Sequence, residues 1–354
     1  SVPSSSRTFV WDAVAPTVAP TSPAEGSYWT PASLTALTGT AREEPSAAGQ
    51  FSAGFLQVND DVDIELSYVV GPSTYYWTNG GWSAADVPGV VGRPVELSGG
   101  TTFWQLIPKP IDNVAAPVNS WQYAGDHVFR LRARARDRAV DGVGALNRNV
   151  SAYFGNGGAG DYLTFYVDRT APVSTMTWPL NGIFVNAVSS ITGTASASVS
   201  GLATVEVKIT TNNATGPWWN GSSYVFSEIW STATLTGNAW EFPGARLDSL
   251  SGAFVDHTRY YVYSKATNNA GNPEAAPTVF AFIYDATGPD LAVTFPTPPS
   301  GSYYSNAAGS SRRIDLTSGT VADSGANASG VSEVWVAISS GSGVNTMWWC
   351  DDTA

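Results

Sequence analysis

Four acidic side chains, Asp60, Asp61, Asp63 and Glu65, fall within six residues, and strand alternation places Asp61, Asp63 and Glu65 on one face. Carboxylates grouped in this way suit a hard cation such as calcium, which takes about six to eight oxygen ligands. A second set, Asp12, Asp168 and Asp285, recurs at one place in a repeated motif, where a shared cation would brace neighbouring units. Set against calcium are two plainer readings: a solvated strand face for the first set and an Asx-type turn for the second. Calcium is the only cofactor that the residues suggest.

Nucleophilic or cofactor chemistry finds little support. The two histidines, His127 and His257, stand at what look like equivalent positions ahead of late strands, each preceded by an aspartate, Asp126 or Asp256. A Ser-His-Asp arrangement needs the carboxylate to orient the imidazole, whereas adjacent residues on a strand point to opposite faces. GNGGAG, from Gly155 to Gly160, has the spacing of a dinucleotide-binding turn. It is followed by the strand-like DYLTFYVD instead of a helix, so it reads as a glycine loop. There is no Walker A sequence, HExxH, CxxC pair or nucleophile elbow, and no enzyme is expected.

Aromatic residues are the third candidate, with 14 Trp and 15 Tyr. Adjacent rings such as Tyr75, Tyr76 and Trp77, or Trp218 and Trp219, cannot all face inward from a strand. Trp77, Trp82, Trp218 and Trp219 are therefore candidates to meet a neighbouring domain or to offer platforms to glycans. Set against this, for any single pair, is one ring in the core with its neighbour packed under a loop.

The elements that carry these residues recur. FVWDAVAP (Phe9 to Pro16), YVDRTAP (Tyr166 to Pro172) and FIYDATGP (Phe282 to Pro289) each run from an apolar strand through an Asp into a turn closed by Pro. Pro lacks an amide hydrogen and fixes φ, so each copy reads as a stiff seam between domains. After each seam come a turn, a segment reading LTGTA, ITGTA or LTSGTV, an alternating strand and an aromatic cluster. VDIELSYVV, VEVKIT and VSEVWVAIS are the alternating strands. Helical periodicity is nearly absent, and about seven short strands per unit between Gly and Pro turns predict an all-β chain of β-sandwiches.

The spacing divides the chain into residues 1–11, the closing strand of a preceding unit, then units 12–167, 168–284 and 285–354, the last incomplete. The first repeat exceeds the second by 39 residues (Asp12 to Asp168 against Asp168 to Asp285), an excess expected in the loop-like stretches Ala84 to Pro117 and Val140 to Asp161.

Asp168, Thr170, Ala171 and Pro172, then Pro179, Asn181 and Gly182, then Gly193, Thr194 and Ala195, with Trp219, Asn220, Gly221, Trp240 and Ala266 to Asn272, form a pattern. It resembles the bacterial immunoglobulin-like repeats of very large secreted and cell-surface proteins. The resemblance implies tandem immunoglobulin-like β-sandwiches outside the cell or at its surface. The family's ATDNAGN loop reads ATNNAGN at Ala266, and ARDRAVDG at Ala135, so a cation in that loop is not expected.

Composition agrees. The chain is 43% hydrophobic and only 13% charged, with net charge −12, which disfavours nucleic acid and anionic membrane as partners. A single cysteine, Cys350, rules out an intrachain disulfide, and no apolar run is long enough to span a membrane. The expected role is a structural segment of a stalk, surface fibre or filament, with neighbouring repeats or copies of the chain as partners. The alternative is an adhesin or carbohydrate-binding module that contacts glycans or cell-surface proteins through Trp and Tyr. The ragged ends suggest either a window cut from a longer array or strand exchange between copies.

Overall fold

Alternation decides how the longest strands pack. In HVFRLRARA the residues Phe129, Leu131, Ala133 and Ala135 are fully buried, while Arg130, Arg132 and Arg134 take the opposite face. The computed structural model describes residues 12–42, 62–77, 82–84, 93–94, 96–97, 103–106, 126–137, 139, 148–155, 161–213, 215–243, 250, 252–296, 316–340 and 347–348. Among these the chain is all-β without a helical residue, and it forms tandem β-sandwiches of the immunoglobulin-like type. The strand expected at Arg7 to Trp11, with Asp60, Asp61 and Cys350, lies outside the described residues.

The early strands of the first unit are β1 (Thr17–Ser22), β2 (Tyr28–Trp29), β3 (Leu37–Arg42), β4 (Val62–Val70), β5 (Ser73–Trp77) and β6 (Trp82–Ser83). Then come β7 (Arg93–Pro94), β8 (Glu96–Leu97), β9 (Phe103–Leu106), β10 (His127–Ala135) and β11 (Leu163–Val167). One sheet runs β1-β3-β9-β8, and the other β2-β11-β10-β4-β5-β6 with β7 also on β4.

In the second unit the early strands are β12 (Val173–Trp178), β13 (Phe184–Val185), β14 (Ile191–Ser196), β15 (Leu202–Thr210), β16 (Trp218–Trp219) and β17 (Tyr224–Val225). The later ones are β18 (Ser231–Thr232), β19 (Thr234–Thr236), β20 (Ala239–Phe242), β21 (Thr258–Asn268) and β22 (Thr278–Tyr284). Its sheets, β12-β14-β20-β19 and β13-β22-β21-β15-β16-β17 with β18 on β15, repeat the first unit strand for strand.

Each core is organised around one tryptophan. Trp104 and Trp240 are buried at matching places, and each donates its indole N–H to a backbone carbonyl, of Thr40 or Thr194, at 3.2 Å. Each ring lies over the glycine of the GTA segment, Gly39 or Gly193, where a Cβ would come within 2.2 Å of the indole. The recurrent glycine is thus a socket for the ring.

After the second seam, β23 (Asp290–Phe295) pairs with β24 (Ser318–Ala322), and β25 (Ser339–Ser340) pairs with β26 (Met347–Trp348). The register shift between Val293 and Phe295 repeats those at Pro20/Ser22 and Met176/Trp178.

The registers also relocate the extra residues of the first unit. β7 to β9 lie within Ala84 to Pro117 and repeat β18 to β20, so that stretch is not simply an inserted loop. Much of the excess does fall between β10 and β11, where Val140 to Asp161 lies, and another large share falls between β3 and β4, as the pairings of Leu37, Ile64 and His127 against those of Ile191, Val207 and Thr258 require.

Candidate functional site

Asp63 and Glu65 share a face of β4, as alternation requires, and that face is covered by basic side chains. Arg132 reaches Glu65 at 2.6 Å, Arg134 reaches Asp63 at 3.0 Å, and Arg136 also pairs with Asp63. The pairing β4/β10 sets Asp63 opposite Arg134 and Glu65 opposite Arg132, so register alone brings the charges together. Tyr153 and Tyr162 lie against the Arg132 guanidinium, and Tyr162 donates to Glu65 at 3.1 Å. Burial, with the Glu65 charge, pushes the Tyr162 phenol up to about 12. Asp63 and Glu65 are only 4% and 3% exposed, so this outer face is roofed and not solvated.

The tryptophans expected at a surface are mostly buried. Trp77 packs in the first core, Trp82 is half-buried against Tyr68 and Phe129, and Trp219 packs in the second core. Trp218 points the other way yet is just 4% exposed, which corrects its reading as an open platform for glycans. Tyr263 meets it edge-on, and the Lys208 ammonium lies 4.4 Å from its ring, 4.6 Å from Trp230 and 4.7 Å from Tyr263. Long side chains on neighbouring strands close over the outer ring, so none of Trp77, Trp218 and Trp219 forms an open platform.

The residues that join one unit to the next gather at the seams. At the first, Asp168 is fully buried. Its Oδ1 accepts the Thr170 amide at 2.9 Å, and its Oδ2 accepts the Ser200 amide and hydroxyl at 3.1 and 2.5 Å. Asp126, just ahead of β10 in the first unit, accepts the Arg169 amide at 2.8 Å, the Ser198 hydroxyl at 3.0 Å and the Thr170 hydroxyl. Asn272 donates to the Asp168 carbonyl at 2.9 Å, as Asn149 does to that of Asp12 at 3.2 Å. Asn149 therefore supplies in the first unit what the AGN segment supplies in the second. Asp12 itself closes an Asx turn on the Val14 amide at 3.0 Å.

Partial burial pushes the Asp126 carboxyl up, but the Arg169 amide and the Thr170 and Ser198 hydroxyls outweigh it and hold the group below the usual carboxylate range. A depressed folded-state pKa stabilises the joint above the unfolded value of about 3.9, and that stabilisation is lost as pH falls through the lower, folded value. Hydrogen exchange of the Arg169 amide is expected to be slow at pH 5 and to speed up below about pH 4 beyond its intrinsic pH dependence. The Asp126→Asn variant, which carries no titrating group there, should show only the intrinsic dependence.

The second seam repeats the latch and changes its surroundings. Asp256 accepts the Ala286 amide at 2.7 Å and the Thr287 hydroxyl, as Asp126 does from Arg169 and Thr170. The Thr287 hydroxyl and Ala286 amide hold its carboxyl below the usual range. Asp285 accepts the Ser329 amide at 2.6 Å, the counterpart of Ser200 with Asp168, and Ser329 likewise lowers its pKa.

The histidines, however, are not equivalent. His127 lies within β10 opposite Val167 and stacks on Tyr68 at 4.4 Å, whereas Thr258, not His257, lies opposite Tyr284 at the matching place. His257 is an inserted residue ahead of β21, at φ 54, and the only non-glycine with positive φ among the described residues. Its Nδ1 lies 3.5 Å from Asp256 Oδ2 and its Nε2 3.3 Å from Asp285 Oδ1.

The role of Asp126 and Asp256 as seam partners was not anticipated from the sequence. The signal available was the recurrence of an Asp before each late strand together with Thr170 and Thr287, two residues after the seam aspartates.

No family model matches the chain, and no curated protein matches it. Among solved structures it is similar to the fibronectin(III)-like modules of Clostridium thermocellum CbhA, at 11% identity over 76% of this chain and 94% of that one, with a TM-score of 0.29. A tetra-tandem repeat from the extending region of a large adhesion protein is 16% identical over 80% of this chain, with a TM-score of 0.28. This chain spans about half (52%) of the length of that structure. Dimeric latent PorU from Porphyromonas gingivalis is 13% identical over 80% of this chain and 26% of its own, with a TM-score of 0.20.

Proposed function

We propose that the chain is a spacer segment of an extracellular repeat protein, a stalk or surface fibre whose work is to hold reach and direction. One observation carries this reading: the same carboxylate latch, Asp126 to Arg169 and Thr170, and Asp256 to Ala286 and Thr287, closes both seams. β11 ends at Val167 and β12 begins at Val173, and likewise β22 ends at Tyr284 and β23 begins at Asp290. The five residues between are tied to both sides, leaving few free rotations at each joint. The low charge content and acidic balance suit such a protein outside the cell. Among the described residues no helix is long and apolar enough to cross a membrane.

The test is the alignment of successive units in solution. Residual dipolar couplings of the 354-residue chain are expected to fit a single alignment tensor for the first two units. Asp126→Ala removes an ionised acceptor of three hydrogen bonds, each worth about 1.5–3 kcal/mol, and should separate the two tensors while each unit keeps its own fold. Unequal tensors in the unmodified chain would overturn the spacer reading. Specific glycan binding by the unmodified chain would favour an adhesin instead.

A further inference from the structure

The second seam contains a feature that the first lacks. Asp285 has a side chain only 1% exposed, and its Oδ1 makes no hydrogen bond, although the matching oxygen of Asp168 accepts the Thr170 amide. The atom it faces, His257 Nε2, is also buried and also without a hydrogen-bond partner. Two buried polar atoms 3.3 Å apart, neither of them hydrogen-bonded, is an arrangement native structures seldom leave uncompensated.

Two local changes create it. The extra residue His257 takes a left-handed backbone conformation that L residues rarely adopt. The segment between β24 and Ser329 is longer than its counterpart between β14 and Ser200, and it folds over the imidazole. There Asn327 donates to the His257 carbonyl at 2.8 Å, and Gly325 is so close that a Cβ would come within 2.5 Å of the ring.

We propose that this seam binds a divalent transition metal of the zinc class, with His257 Nε2 and Asp285 Oδ1 as ligands and Asp256 as the carboxylate that orients the imidazole through Nδ1. The three residues offer ligand atoms all within 4.8 Å of one another. Zinc bonds of about 2.0–2.2 Å to nitrogen and oxygen at tetrahedral angles place two ligands roughly 3.3–3.5 Å apart, in keeping with the separation of Nε2 and Oδ1. A carboxylate behind the second ring nitrogen is the usual support of a metal-bound histidine, and Asp256 Oδ2 is 3.5 Å from Nδ1. Imidazole suits zinc, copper and nickel, whereas calcium takes oxygen ligands, so the donor set selects against calcium here. Water completes the coordination. Because Asp285 is also held by Ser329, the metal would tie the loop ahead of β21 to the third unit.

The experiment uses the chelator-treated 354-residue chain carrying Cys350→Ser, so that its only thiol cannot contribute. Calorimetric titration with zinc chloride at pH 7 is expected to show one site per chain. His257→Ala should abolish the site, Asp256→Asn should weaken it by about 10–100-fold, and His127→Ala should leave it unchanged. Should His257→Ala fail to fold, the long-range proton–nitrogen spectrum of the Cys350→Ser chain decides, since it contains only two imidazoles. Zinc is expected to shift the His257 Nε2 signal and spare His127. Absence of saturable binding, equal affinity for calcium, or an unmoved His257 signal would overturn the proposal. None of these outcomes bears on the spacer reading, which is tested at the first seam without metal.

Discussion

Trp240→Ala is expected to lower the melting transition of the second unit by about 10–20 °C and to leave that of the first unit in place. The size follows from what the ring does. Trp240 is 2% exposed, it is among the largest fully buried side chains of its sandwich, and its N–H is bonded to the Thr194 carbonyl at 3.2 Å. Truncating a buried tryptophan costs about 3–5 kcal/mol, because the lost apolar burial is joined by a cavity that the surroundings fill only in part. Here the backbone carbonyl of Thr194 also loses its donor.

The socket gives an independent check. Gly193→Val places a Cβ where Trp240 and the Thr175 carbonyl already lie, at 2.2 and 2.1 Å, and backbone cannot yield as a flexible side chain would. It should therefore be at least as destabilising as loss of the ring. The reciprocal variant, Trp104→Ala over Gly39, should move the transition of the first unit and spare the second. Differential scanning calorimetry of the whole chain reads all three, since the units need not unfold together. A second-unit transition unmoved by Trp240→Ala would show that the indole is not the centre of its core.

The repeated GTA glycine, Trp240 and the alternating strands were visible in the sequence, because a period of two maps directly onto a half-buried face, whereas Trp104 fell in a stretch expected to be loop. What was hidden was everything decided by pairing between distant strands. Asp63 and Glu65 read as a cation-binding or solvated face, yet their partners lie on β10, 71 and 67 residues away. Trp218 read as an interface or glycan candidate because alternation says only which face a ring takes. It says nothing of Lys208 and Tyr263, paired across β15 and β21, which roof that face. The histidines looked equivalent because each follows an Asp. The one-residue offset appears only once Thr258 is seen opposite Tyr284. Local pattern fixes the face of a strand, and register fixes the neighbours, which is where the chemistry of this chain resides.

Glu274→Ala is the second large effect expected, and it concerns a residue that no sequence pattern singled out. Glu274 lies in the loop between β21 and β22 and is 8% exposed. Its Oε1 accepts the Ser174 amide at 3.1 Å and the Thr278 hydroxyl at 3.3 Å, and its Oε2 accepts the Ser174 hydroxyl at 2.7 Å and the Ala266 amide at 2.9 Å. Ser174 Oγ also lies 2.8 Å from Ser264 Oγ. One carboxylate therefore joins β12, the edge of one sheet, to β21 and β22 of the other. Removing it strands two buried amides and loosens the hydroxyls around them. With each unsatisfied buried donor costing about 1–3 kcal/mol, the loss should total roughly 3 kcal/mol or more.

Glu274→Gln keeps one acceptor oxygen but turns an N–H₂ toward groups that are themselves donors, so it should recover only part of the stability. Amide hydrogen exchange separates this account from a general loosening. The Ser174 and Ala266 amides should lose protection most, ahead of the Trp240 region on β20, two strands in from the β12 edge. Uniform loss across the unit would mean that Glu274 acts on global stability alone. A strictly local loss would mean that the carboxylate is the clasp holding the β12 edge to the sandwich.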